Sequence, residues 1–189
     1  MKRIISTVLI SIGLCQFASY GQEKYGKTLN LGLGVGGYAG YYGYVGRSMP
    51  VFNINYEFDV AKNFTLAPSV GFYTYSNNYY WGNHRNYYRN YTYRETVIPV
   101  GVKATYYFDD LLKANSNWDF YLAGSLGFAI ASSRWENGYE GDRNYFHRGN
   151  NLFLDIHIGT EYHFNKRIGA FLDISTGVST IGLAIHSKK

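Results

Sequence analysis

Ionisable residues at alternate positions in the C-terminal third of the chain could carry acid–base chemistry. His157 lies between Asp155 and Glu161, at separations that place all three on one face of a β-strand. Histidine is the commonest general base in enzymes, and a nearby carboxylate often orients it. One interpretation is therefore a hydrolase that uses His157 as base, oriented by Glu161 or Asp155. Because no serine stands in a recognisable motif with His157, we predict no catalytic residues.

His157, Glu161 and His163 also have the residue types of a metal site. At a rise of roughly 3.3 Å per residue, the two histidines would lie about 20 Å apart along a strand, so one ion cannot bridge them. The acidic residues of segment 132–151 do not have the spacing of an EF-hand loop. We therefore predict no metal ion and no cofactor.

These residues belong to a larger set that shares the polar face of the predicted strands. Charges of both signs on such a face could pair and fill the interior of a narrow closed sheet. We predict that this polar network consists of Glu57, Glu95, Lys103, Asp155, His157, Glu161 and Asp173. Asp119 and His163 lie on the same face.

The segment Tyr73–Tyr93 is unusual in its aromatic and cationic content. It contains eight Tyr, five Asn, Trp81 and two Arg, and it has no acidic residue. Tyr, Asn and Arg are typical of binding loops, and Arg pairs well with phosphate. We predict a long loop here and a second in segment 132–151, with ligand-binding residues Tyr79, Tyr80, Trp81, Arg85, Arg89, Trp135 and Arg143. The alternative is that the tyrosines only form an aromatic girdle at a membrane interface.

Strands must position these residues. From Leu29 to the C-terminus, about eight segments alternate between apolar residues and small or polar residues. A soluble sheet would carry many Lys and Glu on its polar face, since roughly a quarter or more of a protein surface is charged. Here Gly, Ala, Ser and Asn dominate that face, so we expect the apolar faces to meet lipid. Pro68, inside the third segment, predicts a bulge.

The connections between these segments supply a second signal. Three long connections, at 39–50, 76–92 and 132–151, alternate with shorter ones at 59–63, 109–117 and 165–167. That asymmetry is typical of outer-membrane barrels, and closure leaves no strand edge unpaired in lipid. We predict an all-β fold, an eight-stranded antiparallel up-and-down transmembrane β-barrel with long outer loops and short periplasmic turns.

Composition and the N-terminus favour export to a membrane. Aromatic residues make up 19% of the chain and charged residues 16%. Residues 1–21 are predicted to be a cleaved signal peptide, which leaves 22–189 as the barrel domain. The single cysteine, Cys15, lies in the cleaved segment, so the mature chain has no disulfide. Removal of Lys2 and Arg3 with the signal peptide lowers the formal net charge from +5 by two, so we expect no nucleic-acid partner.

A signal peptide, eight such strands and Tyr- and Asn-rich outer segments resemble the small outer-membrane β-barrel proteins of Bacteroidota. The OmpX and OmpA barrels are similar in architecture more broadly. The resemblance covers the mature chain and implies location in the cell outer membrane, with lipid, lipopolysaccharide and an envelope protein as partners. Such barrels usually end on an aromatic residue, whereas this chain ends Ile185-His186-Ser187-Lys188-Lys189.

The preferred functional interpretation is a non-enzymatic outer-membrane barrel whose aromatic loops contact lipopolysaccharide or an envelope protein. Two alternatives stay open at the level of sequence. One is a barrel enzyme that hydrolyses or transfers acyl esters of lipid A. The other is a secreted lipocalin-like carrier, in which the apolar faces of the same strands would point inward around a hydrophobic ligand.

Overall fold

The computed structural model of the protein describes residues 25, 27–37, 50–82, 88–112, 117–141 and 151–187. The predicted signal peptide 1–21, with Cys15, lies outside the described residues, as do Arg85 and Arg143. Among the described residues, no helix is long and apolar enough to cross a membrane.

Eight antiparallel strands form one closed barrel in simple sequential order, with β1 pairing β8 to complete the ring. This confirms the predicted all-β, eight-stranded fold. The only helix within the described residues is a single turn, Asp109–Leu112, between β4 and β5. The strands are β1 Thr28–Gly36, β2 Val51–Ala61, β3 Phe64–Trp81, β4 Arg89–Tyr107, β5 Trp118–Trp135, β6 Asn151–His163, β7 Ile168–Ser175 and β8 Val178–His186.

Strand alternation sorts the side chains between the outside and the lumen of the barrel. Because successive side chains of a strand point to opposite faces, apolar residues can occupy one face and polar or small residues the other. Leu126 and Leu154, paired across β5 and β6, are 55% and 73% exposed on the outer wall. Their sequence neighbours Ser125 and Asp155 are buried in the lumen. The predicted orientation, apolar outward and polar inward, is confirmed.

The two ends of the barrel differ in their connections. We call the end that carries Thr28 and His186 the inner rim, and the opposite end the outer rim. β2 and β3 join at the inner rim through Lys62–Asn63, where Asn63 has a φ of 61°. Asparagine tolerates this left-handed conformation better than most residues, which allows the tight turn.

The predicted loop over Tyr73–Tyr93 is wrong, since β3 continues to Trp81 and β4 begins at Arg89. β5 likewise continues to Trp135, beyond the predicted strand end near residue 131. Tyr, Thr and Trp fit a pleated and half-buried surface well, so tertiary pairing extends the strands through these segments. Within the described residues, β3 and β4 pair up to Trp81↔Arg89 at the outer rim.

The predicted bulge at Pro68 is also wrong. Pro68 pairs with Val102 on β4 in an uninterrupted register. On the other side, pairing with β2 is interrupted between Asn55↔Ser69 and Phe58↔Leu66 but resumes in the same register. The missing amide hydrogen of proline therefore weakens one ladder without shifting it. A register change occurs only beyond it, between Asp59 and Ala61.

The lumen is filled in layers along the barrel axis. Towards the outer rim, one apolar layer is composed of Val51, Tyr73, Val97, Ala129, Phe153 and Val178. Towards the inner rim, a second layer is composed of Tyr25, Tyr107, Tyr121 and Ala123. An eight-stranded barrel has an interior just wide enough for side chains. The polar network lies between and around these layers.

Candidate functional site

The centre of the lumen is organised around the carboxylate of Asp173 on β7. The ammonium of Lys103 on β4 forms an ion pair with its Oδ2 atom, and the Tyr121 hydroxyl donates to the same oxygen at 2.9 Å. His157 on β6 approaches the other oxygen, with Nδ1 2.7 Å from Oδ1. All four side chains are buried. The network thus joins four consecutive strands, β4 to β7, through the lumen.

Ser125 on β5 extends this network into the arrangement of a hydrolase triad. Its Oγ atom lies 2.8 Å from Nε2 of His157, while Nδ1 of the same ring faces Asp173. In serine hydrolases this order lets histidine take the serine proton while the aspartate holds the imidazole. The expected orienting residues were Glu161 or Asp155, and Asp173 takes that place instead. Sequence reasoning missed Ser125 because it lies on a different strand, one diagonal from His157.

The space around this triad is small. A cavity of about 30 Å³ lies beside it, bounded partly by Lys103, Asn55 and Phe171. That volume accommodates about one or two water molecules. Ser125 and His157 are themselves buried in the lumen. The geometry could activate a hydroxyl group, but the described lumen has no room for a lipid acyl chain beside it.

Asp155 lies close to His157 without replacing Asp173 as its partner. One of its oxygens, Oδ2, is 3.4 Å from Nε2 of His157. The other accepts from the Thr176 hydroxyl at 2.6 Å and from the Gly177 amide at 2.7 Å. Those two residues form the turn between β7 and β8. Asp155 therefore fastens this turn to the lumen wall.

Glu57 on β2 is the centre of a second polar group, nearer the inner rim. Its carboxylate accepts from the Asn30 amide at 2.8 Å, from Thr65 at 2.8 Å and from the Tyr107 hydroxyl at 2.7 Å. Tyr25 stacks on Tyr107 with ring centroids 3.9 Å apart. These hydrogen bonds link β1, β3 and β4 to Glu57 on β2, and the stacked Tyr25 adds the segment before β1. The group therefore closes the lumen near the inner rim.

The remaining predicted network residues lie at the two ends. Glu95 is buried near the outer rim and accepts from the Tyr93 hydroxyl at 3.1 Å. Glu161 is buried near the inner rim, where its Oε1 atom is 2.6 Å from Nε2 of His186. His186 was not among the predicted site residues. The structure therefore places all seven predicted residues in the lumen but divides them among separate groups.

Above the outer apolar layer, aromatic rings from three strands and the following turn meet. We call this group the outer aromatic cluster; its members are Tyr79, Trp81, Tyr91, Tyr93, Trp135 and Tyr139. Trp135 stacks on Tyr139 with centroids 4.0 Å apart and nearly parallel planes. Tyr91, Tyr93 and Tyr139 are buried. The cluster covers the outer end of the lumen and faces inward, away from the outer wall.

Arg89 lies at the edge of this cluster. Its guanidinium is 4.5 Å from the centroid of the Tyr91 ring, and it donates to the Asn137 carbonyl at 3.3 Å. Tyr80 points to the opposite side of the hairpin, where it stacks on Tyr88, and both are exposed. Of the predicted binding residues, Tyr79, Trp81, Arg89 and Trp135 are thus brought together, and Tyr80 is separate. The girdle interpretation does not apply to the buried tyrosines.

No known protein family matches the chain, and no curated protein sequence matches it. Solved structures with a similar fold include two of one outer membrane protein. One is the Yersinia pestis outer membrane protein Ail in a phospholipid bilayer nanodisc, with 11% identity and a TM-score of 0.42 over 84% of this chain and 96% of that one. The other is Ail, the attachment invasion locus protein of Yersinia pestis, in complex with the heparin analogue sucrose octasulfate. There the identity is 10% and the TM-score 0.43, over 84% of this chain and 94% of that one.

Proposed function

We propose that this protein is an integral outer-membrane barrel with a non-enzymatic role, anchored by its outer wall. The observation that carries the proposal is the apolar surface of the closed barrel. Leu33, Phe128, Ile156 and Ile174 lie on four different strands and are each about half exposed. Monomeric soluble proteins rarely expose apolar patches larger than a few hundred Å². A bilayer would cover this surface, and the closed sheet leaves no edge to satisfy.

The orientation of the side chains argues against the lipocalin-like alternative. Such a carrier needs an apolar cavity, whereas the described lumen holds the Lys103–Asp173 ion pair and the Glu57 group. Export by a cleaved signal peptide, residues 1–21, and a barrel domain at 22–189 belong to the same proposal. With that export, the inner rim would face the periplasm and the outer rim the cell exterior.

The outer aromatic cluster with Arg89 is the proposed contact surface for lipopolysaccharide. Its half-buried rings, Trp81 and Trp135, could stack on sugars, and the exposed Arg89 could pair with a phosphate. Trp81 and Arg89 are paired across β3 and β4, so the positions of the indole and the guanidinium are fixed relative to each other. An envelope protein that uses the same surface is the competing partner.

One observation favours a second candidate, an acyl ester hydrolase. Ser125, His157 and Asp173 have the hydrogen bonds of a catalytic triad. The narrow cavity and the burial of Ser125 favour a structural role instead. Comparison of lipid A from a deletion strain and from its parent by mass spectrometry separates the two. We expect identical lipid A, and a change restored by the native gene but not by Ser125→Ala would establish the enzyme.

The membrane proposal is tested by gel mobility of outer-membrane protein extracted in detergent, unheated against boiled in SDS. We expect a faster unheated band, because a closed barrel resists SDS. Protein found in the soluble fraction with no shift would overturn it.

Binding to purified lipopolysaccharide is then measured with Arg89→Ala and Trp81→Ala. Matched controls are Arg167→Ala and Trp118→Ala, which change the same residue types at the inner rim. We expect weaker binding only for the outer-rim variants. Equal binding by all four would rule out this surface, and direct the search to an envelope protein.

A further inference from the structure

A group of two histidines and a glutamate lies at the inner rim, apart from the central network and the outer aromatic cluster. We propose that Glu161, His163 and His186 bind one divalent transition-metal ion, with Zn²⁺ as the best match. One ligand atom from each residue lies within 4.8 Å of the other two. His163 and His186 come from β6 and β8, and β7, which pairs with both strands, holds them close together.

The distances already converge on one carboxylate oxygen. Oε1 of Glu161 is 2.6 Å from Nε2 of His186 and 3.5 Å from Nδ1 of His163. Ligands of a tetrahedral zinc ion with bonds of roughly 2.0–2.1 Å lie about 3.3 Å apart. Small side-chain rotations would therefore bring the three atoms to that spacing. His157, which sequence reasoning paired with His163, is not part of this group.

The outer nitrogen of each imidazole already has its own partner. Nε2 of His163 is 2.7 Å from the carboxylate of Asp119, which makes this nitrogen the donor. Nδ1 of His186 is 2.9 Å from the Thr28 hydroxyl, whose proton is donated to the Tyr25 carbonyl. The threonine oxygen must then accept from His186. Both rings are thus held with their remaining nitrogens directed at Glu161.

When both imidazoles are neutral, this arrangement leaves electron pairs facing each other. In the neutral rings, Nδ1 of His163 and Nε2 of His186 carry lone pairs, and Glu161 offers only acceptor oxygens. A cation bound between the three side chains would accept the lone pairs of both nitrogens and of the carboxylate oxygen at once. The partners Asp119 and Thr28 are the outer hydrogen-bonding groups that metal-binding histidines almost always have, and they fix the ring orientation.

Gly169 provides the room for the carboxylate. It pairs with His163 and Ala184 on the neighbouring strands, between the two histidines. A Cβ atom at this position would overlap the Glu161 carboxylate. A glycine at this position of β7 therefore allows Glu161 to reach across the strand towards His186.

The ligand types of this group indicate which ion it binds, and the exposure of its side chains shows how the ion can reach it. Two imidazoles and a carboxylate suit Zn²⁺ and similar transition metals better than Ca²⁺ or Mg²⁺, which prefer oxygen ligands. The side chains of His163 and His186 are 21% and 17% exposed at the rim, so an ion can enter from solvent. Three protein ligands leave a coordination position for water.

Metal titration of the detergent-solubilised barrel, purified without a polyhistidine tag and stripped with a chelator, tests the proposal. Co²⁺ binding is followed by visible absorption, and Zn²⁺ binding by calorimetry. We expect one ion per barrel with the spectrum of nitrogen and oxygen ligands. Absence of saturable binding in the natural protein, whose fold is checked by gel mobility, would overturn the proposal whatever the variants do.

Variants then identify the ligands. We expect His163→Ala, His186→Gln and Glu161→Gln each to abolish saturable binding. Asp119→Ala should weaken it by roughly 10- to 100-fold, because it removes only the group that orients His163. His157→Gln is the matched control, since that ring lies in the central network. Unchanged binding by the three ligand variants, or an equal loss in the control, would contradict the assignment.

Discussion

Nδ1 of His157 lies 2.7 Å from Oδ1 of Asp173, across the pairing of β6 and β7. The other oxygen of Asp173 receives Lys103 and Tyr121 from β4 and β5. One carboxylate therefore connects four of the eight strands through the lumen. The contribution of Asp173 to the free energy of unfolding and the reactivity of Ser125 in the same network can be measured separately.

The Lys103–Asp173 ion pair should be strongly coupled. Lys103→Met leaves the buried Asp173 without its cationic partner, so we expect the free energy of unfolding to fall by about 3–5 kcal/mol. The double variant with Asp173→Asn should lose less than the sum of the two single losses, because neither charge is then left alone. Urea unfolding in detergent micelles measures the free energy of unfolding of the two single variants and the double variant. Additive losses would show that the two groups do not interact.

Ser125→Ala should remain folded and lose only about 1 kcal/mol of stability, the typical contribution of one hydrogen bond. A fluorophosphonate probe should not label Ser125 in the natural barrel, because the lumen beside it has so little space. Labelling is detected by mass spectrometry of the intact protein. Label that is present in the natural protein and lost in Ser125→Ala would support the hydrolase interpretation.

The outer wall should show the depth dependence expected for a bilayer. Leu126 lies near the middle of β5, whereas Ile168 is the first residue of β7 at the inner rim, and both are exposed on the outer wall. Arginine at the bilayer midplane costs roughly 2–4 kcal/mol and near an interface about 0–1 kcal/mol. We therefore expect Leu126→Arg to destabilise the barrel in lipid vesicles far more than Ile168→Arg. Equal effects would argue against a bilayer around this wall.

Two neighbouring tyrosines on β4 provide a matched test of the inner polar group. Tyr107 faces the lumen and donates to Glu57 at 2.7 Å, whereas Tyr106 is 43% exposed on the outer wall. A hydrogen bond to a charged group contributes about 1.5–3 kcal/mol, so Tyr107→Phe should lower stability by that order. Tyr106→Phe should change it by less than about 0.5 kcal/mol. The comparison uses the same substitution in both positions, measured by urea unfolding.

The alternation of residues was sufficient to predict the barrel and the direction of its faces. Leu126 and Ser125 could be assigned to opposite sides from sequence because the period of a strand is two residues. Strand length was less predictable. The segments that end at Trp81 and begin at Arg89 look like a loop by composition, and only pairing across the hairpin shows them to be strand.

The residue types of the lumen were readable in the sequence, but their partners were not. Glu161 was expected to orient His157 on the same strand, yet it reaches His186 on β8, across Gly169. His157 instead meets Ser125 and Asp173, which are separated from it by many residues along the chain. By itself, the sequence determined the strand count, the lumen-facing residues and the apolar wall, because these depend on a local period. Tertiary structure alone decided which lumen residues form a triad, a turn anchor or a candidate metal site, because closure of the barrel sets distances between strands.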